Sequence, residues 1–111
     1  MTEDGTLVVL STVASREEGT HIARTLVEER LAACVNVVPG LTSFFFWEGR
    51  LQEDTEVLLL VKTRRARYAE LEARLRSLHS YSTPEILALA VEAGSPAYLA
   101  WVRERVHPEG R

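Results

Sequence analysis

At 111 residues, with 46% hydrophobic and 26% charged residues, the chain reads as a single globular domain, residues 1–111, with one core and no room for a second. A formal net charge of -3 and a pI near 5.6 argue against general nucleic-acid binding, which needs a basic face to neutralise phosphates. The single cysteine, Cys34, excludes an intrachain disulfide and a multi-cysteine zinc site; no apolar run approaches the ~18 residues of a membrane span, and the start is acidic and polar, so the expected location is the cytoplasm, with no membrane partner.

Residues 7–10 are a short continuous apolar run and predict a buried central strand. Ser15 and Glu18 stand in the Ser-x-x-Glu spacing of a capping box, which opens a helix carrying Ile22, Ala23, Leu26, Val27 and Leu31 inward and Glu17, Arg24 and Glu28 outward. Residues 31–63 then form a long antiparallel hairpin: one arm through Cys34 and the aromatic run Phe44, Phe45, Phe46 and Trp47, a turn at Glu48-Gly49, and a return arm ending in residues 57–63. An unbroken strand from Ala33 to Trp47 would run on the order of 50 Å, against a radius of gyration of about 13 Å for a domain this size, so the hairpin must bend or protrude. Pro39-Gly40 is the expected bend. Phe44 and Phe46 point to one face and Phe45 and Trp47 to the other, so another copy of the chain is the expected cover.

After the hairpin, Tyr68, Leu71, Leu75 and Leu78 predict a second amphipathic helix, its outer face carrying Arg67, Glu70, Glu72, Arg74 and Arg76. Residues 79–84 are a Ser-, Thr- and Pro-containing loop, and residues 86–91 the last strand. Ser95 as N-cap and Pro96 as the first helical residue start a third helix, with Tyr98, Leu99, Val102 and Val106 inward, and residues 108–111 are expected to fray. The order strand, helix, strand, strand, helix, strand, plus a C-terminal helix, predicts an α+β, ferredoxin-like fold: an antiparallel sheet with both main helices on one face and the other face free for assembly.

The chemistry on offer is sparse. Cys34 reads either as a soft metal ligand or as a small buried apolar residue. His79 reads either as a helix C-terminal cap or, with Tyr81, Glu85 and Lys62, as part of a site for a metal or small anion; His21 and His107 are peripheral. No nucleophile elbow, glycine-rich phosphate loop or His-Glu-x-x-His motif is present, so no enzyme is expected. The two central strands carry no aromatic residues, which argues against RNA recognition on the sheet.

Taken together, Leu26-Val-Glu-Glu-Arg-Leu-Ala-Ala-Cys-Val-Asn36, Pro39-Gly40, Trp47-Glu-Gly49, Lys62-Thr63, His79-x-Tyr-x-x-Pro-Glu-Ile86 and Tyr98-x-x-Trp101 resemble, in order and over nearly the whole chain, the CutA family of divalent-cation-tolerance proteins. The resemblance implies a tight homotrimer, similar in plan to the P-II nitrogen-regulatory proteins, with a link to copper or another divalent cation that folding does not require. It implies His79 and Cys34 as metal-site candidates, and Lys62, Tyr81, Glu85 and Trp47 as interface-pocket residues that either line a small-ligand pocket or cement the trimer. Ser11 stands where some members have a further cysteine, and Ser80 and Ala90 where prolines are usual. The alternative function is a P-II-like signalling or scaffold protein that binds a small anion or a protein between subunits.

Overall fold

The structure is a computed structural model and describes residues 4–106; His107 and residues 108–111, expected to be peripheral and frayed, lie outside the described residues. The elements run β1 (Thr6–Val13), α1 (Arg16–Glu28), β2 (Cys34–Trp47), β3 (Arg50–Arg64), a single 3-10 turn (Arg65–Arg67), α2 (Tyr68–Leu78), β4 (Leu87–Ala90) and α3 (Pro96–Arg105). The described strands form one antiparallel sheet in the order β2-β3-β1-β4, so β1 and β3 are central, as a ferredoxin-like fold requires. No helix among the described residues is long and apolar enough to cross a membrane.

Alternation along the strands divides the sheet sharply. Val9 and Val13 of β1 and Val57, Leu59 and Val61 of β3 point to one face and pack under Ile22 and Leu26 of α1 and Leu71 and Leu75 of α2. Each such apolar side chain fully removed from water is worth roughly 1.5–3 kcal/mol. Gly19 lets α1 come close: a Cβ there would stand 3.3 Å from Leu59 and from Val13. The expected caps hold α1 and α3 in place, since Ser15 Oγ accepts from the Glu18 N–H and Ser95 Oγ from the Tyr98 N–H.

The opposite face follows from the register. Its rows are Cys34, Lys62, Val8 and Leu89; then Asn36, Leu60, Leu10 and Leu87; then Val38, Leu58 and Thr12. The expectation of a face with no helix at all needs correcting, because α3 lies across one end of it. Arg64, two residues on from Lys62, donates from Nη1 to the carbonyls of Arg103 (2.7 Å) and Val106 (2.8 Å), while its Nε and Nη2 hold the Asp4 carboxylate. Val102 and Val106 are buried with Ala33 in a small separate cluster. Beyond α3 the face stays uncovered, with Leu87 and Leu89 more than half exposed.

β1 pairs with β3 only as far as Val13 opposite Val57. Beyond that point β2 and β3 continue alone as a two-stranded ribbon, and the protomer stretches to 44 Å along its longest axis. The expected bend is a bulge between Val38 and Leu41, where Gly40 adopts φ +87°, a conformation that glycine supplies without strain. The ribbon closes through Glu48 (φ 53°) and Gly49 (φ 77°), two left-handed residues whose twist matches that of a hairpin.

Three side chains depart from expectation. Arg67 is buried, because it belongs to the 3-10 turn ahead of α2 and not to that helix's outer face; its Nε donates to Glu70 Oε1 at 2.7 Å. Val27 is exposed, since α1 ends at Glu28 and Arg30 turns left-handed to bring Leu31 back inward. Tyr98 is also exposed, stacked on Trp101 along α3.

Candidate functional site

The residues singled out in the sequence fall into two separate groups. The first is a polar corner on the uncovered sheet face. Cys34 and Lys62 are directly opposed across β2 and β3, and the Lys62 ammonium reaches along the face to donate to Asn36 Oδ1. Cys34 is a free, half-buried thiol. Tyr98 of α3 closes the corner: burial first, and then the nearby Cys34, push its phenol above the ordinary range. Asn36 and Tyr98 were missed as site residues in the sequence. Asn36 did interrupt the otherwise apolar run of residues 31–38, whereas the approach of Tyr98 depends on where α3 docks.

The second group sits at the other end of β1. β4 pairs only with residues Leu7 to Leu10, which leaves the Thr12 carbonyl without a strand partner, and His79 takes it through Nε2 at 2.8 Å. Nδ1 accepts from the Tyr81 N–H at 3.1 Å, so Nε2 carries the proton and the ring is the neutral tautomer. The imidazole is fully buried, and Glu18 Oε2, at 3.7 Å from Nδ1, is too distant for a hydrogen bond. Glu18 instead accepts from the Ser80 N–H (2.8 Å) and the Ser80 hydroxyl (3.0 Å), so only half of the expected capping box forms. Tyr81 donates its hydroxyl to Glu56 Oε2 at 2.7 Å, and burial followed by this carboxylate holds the phenol protonated far above its ordinary range.

Within one protomer His79, Tyr81, Glu85 and Lys62 do not converge. Thr12, which anchors His79, is four residues along β1 from Val8 in the Cys34 row, roughly 13 Å away at the rise of a strand. Tyr81 is held by Glu56 and not by Glu85, which is exposed. Trp47 lies opposite Arg50 at the ribbon tip, 62% exposed and remote from both groups. Nor do the surface clefts mark either group. One of about 450 Å³ runs between α1 and α2 beside Glu29 and Arg74, and one of about 970 Å³ lies between the start of β1 and α3 beside Thr6, Val91 and Leu99. Among the described residues no three His, Cys, Asp or Glu side chains stand close enough to hold a metal ion.

The sequence pattern of the family described as CutA1 divalent ion tolerance protein matches residues 7–105. The chain belongs to the CutA1 family. It is 55% identical over 97 residues to the divalent-cation tolerance protein CutA of Thermus thermophilus, covering 87% of this chain and 94% of that one. The human protein CutA is 48% identical over 84 residues, but there the match covers only 47% of the relative. Among solved structures, the Cut A1 protein of Thermus thermophilus superposes with a TM-score of 0.89 at 52% identity, covering 92% of this chain and 99% of the other. The CutA of Archaeoglobus fulgidus, described as a periplasmic divalent cation tolerance protein, superposes with a TM-score of 0.88 at 41% identity, covering 92% and 99%. These superpositions are consistent with the ferredoxin-like fold described above.

Proposed function

We propose that this divalent-cation tolerance protein works as a cytoplasmic homotrimer that captures a soft cation, copper before others, between its subunits through Cys34. The observation that carries the reading is the placement of a half-buried free thiol, beside Lys62 and Tyr98, where the cover given by α3 ends and the sheet face is left uncovered by its own protomer. A single thiol per chain makes no multi-thiolate site, but copies of one chain packed face to face about an axis can supply several. Thiolates gathered on Cu(I) carry a net negative charge, which the adjacent Lys62 ammonium offsets. His79 stays outside this site, because both ring nitrogens are engaged within the protomer. We assign the protein no catalytic step.

Titration with Cu(I) against a chelator tests the proposal. The expected result is tight binding at less than one copper per chain, lost in Cys34→Ser and kept in His79→Ala; binding that survives Cys34→Ser unchanged overturns it. A second reading, a P-II-like sensor of a small anion, is favoured by one observation, the Lys62 ammonium on the assembly face with Asn36 as its hydrogen-bond partner. A thermal shift with an anionic metabolite that disappears in Lys62→Ala, together with no copper binding, would select it.

A further inference from the structure

The ribbon leaves the body at one residue of β3. Val57 is the last β3 residue with a β1 partner, and Glu56, opposite Leu41, is the first beyond it, directly after the bulge at Gly40. From that residue outward the two strands have only each other in the sheet. Yet Glu56 is 8% exposed, and its carboxylate is held by Tyr81 from the loop that follows α2.

We propose that Glu18, His79, Ser80, Tyr81 and Glu56 form a latch that sets the angle of the ribbon to the body, with Tyr81 and Glu56 as its positioning residues. The parts connect without a gap. Glu18 on α1 holds Ser80 by two hydrogen bonds, His79 anchors the same loop to the Thr12 carbonyl and accepts the Tyr81 N–H, and Tyr81 reaches Glu56 at the hinge. The His79 and Tyr81 rings lie 4.8 Å apart between centroids, so the phenol is braced by the imidazole as well as tied at both ends. The latch bonds join α1, β1 and the loop to the root of the ribbon, and none reaches its aromatic tip. Their effect is therefore on direction: a two-stranded ribbon with a glycine bulge at its base is free to swing, and this set of bonds selects one orientation from that range.

Amide hydrogen exchange on the intact, assembled protein tests the latch. Tyr81→Phe removes one hydroxyl and leaves the ring in place. Amides of residues 41–56 should then exchange on the order of tenfold faster while those of residues 57–63 keep their protection, and Glu56→Gln, which retains an acceptor, should show a smaller effect of the same pattern. Unchanged exchange in the ribbon overturns the proposal, and so does uniform acceleration of both segments, the mark of general destabilisation. Should Tyr81→Phe fail to fold, Glu56→Gln alone decides by the same two criteria.

Discussion

β3 passes through two environments within one strand. Its inner half, from Val57 to Val61, lies under two helices, and Leu59 and Val61 have no exposed surface; its outer half, from Arg50 to Glu56, pairs only with the aromatic arm of β2. In that arm Phe44 is 62% exposed, Phe46 74% and Trp47 62%, so large rings on both faces of the ribbon lack cover from the protomer. The inner half is stabilised by its own chain. The outer half leaves its apolar surface exposed, a contrast that supports the assembly proposed above.

Substitutions can separate the two halves. The largest effect is expected at Leu59, where truncation to Ala should cost about 2–5 kcal/mol in chemical denaturation and substitution by Asp should leave the protein unfolded at any concentration. Leu60, its neighbour on the uncovered face, is only half-buried, so Leu60→Asp should lower the assembly state in analytical ultracentrifugation while the helical signal in circular dichroism largely survives. If Leu60→Asp unfolds the protein as completely as Leu59→Asp, the distinction between the two faces fails.

Two smaller effects concern pH. The Tyr81 phenol is raised in the folded state, so its contribution is present below the ordinary tyrosine range near pH 10 and is lost as pH rises above it. Wild type should therefore lose stability on going from about pH 9 to 11 by more than Tyr81→Phe does, a difference of less than about 1 kcal/mol because Tyr81 is 36% exposed and its interaction is screened by solvent. Asp4 is shifted the other way, lowered chiefly by its hydrogen bonds to Arg64. Its contribution is present above about pH 4 and lost as pH falls through the depressed value, and Asp4→Asn should reduce this acid sensitivity by less than about 1 kcal/mol, the side chain being 31% exposed.

Much of this architecture was legible in the sequence because it rests on local signals. Period-two and period-3.6 patterns located the core strands and helices, Ser15 and Ser95 announced their helices, and Pro39-Gly40 and Glu48-Gly49 marked the bulge and the turn. The site was less legible, since its pairings are set by which strand ends where. Nothing near Tyr81 in the chain points to Glu56, which is 25 residues away and becomes its partner only because β1 stops at Val13. Likewise His79 was chemically conspicuous, but its role follows from β4 being too short to satisfy the Thr12 carbonyl. Arg67 misled for a related reason: helical spacing extended one residue too far back assigns a buried guanidinium to solvent.

The Arg64 guanidinium touches both extremities of the described chain, binding Asp4 on one side and the carbonyls of Arg103 and Val106 on the other. The two ends of the described segment, at residues 4 and 106, therefore meet at one corner of the body. Joining them with a short linker should not disturb the sheet, and new ends cut at the Glu48-Gly49 turn would fall at the far tip of the ribbon. Such a circularly permuted chain should keep the order β2-β3-β1-β4 while converting its hairpin into two strands with free ends, which turns the covalent closure of the ribbon into a variable that can be removed without changing a single side chain in the core.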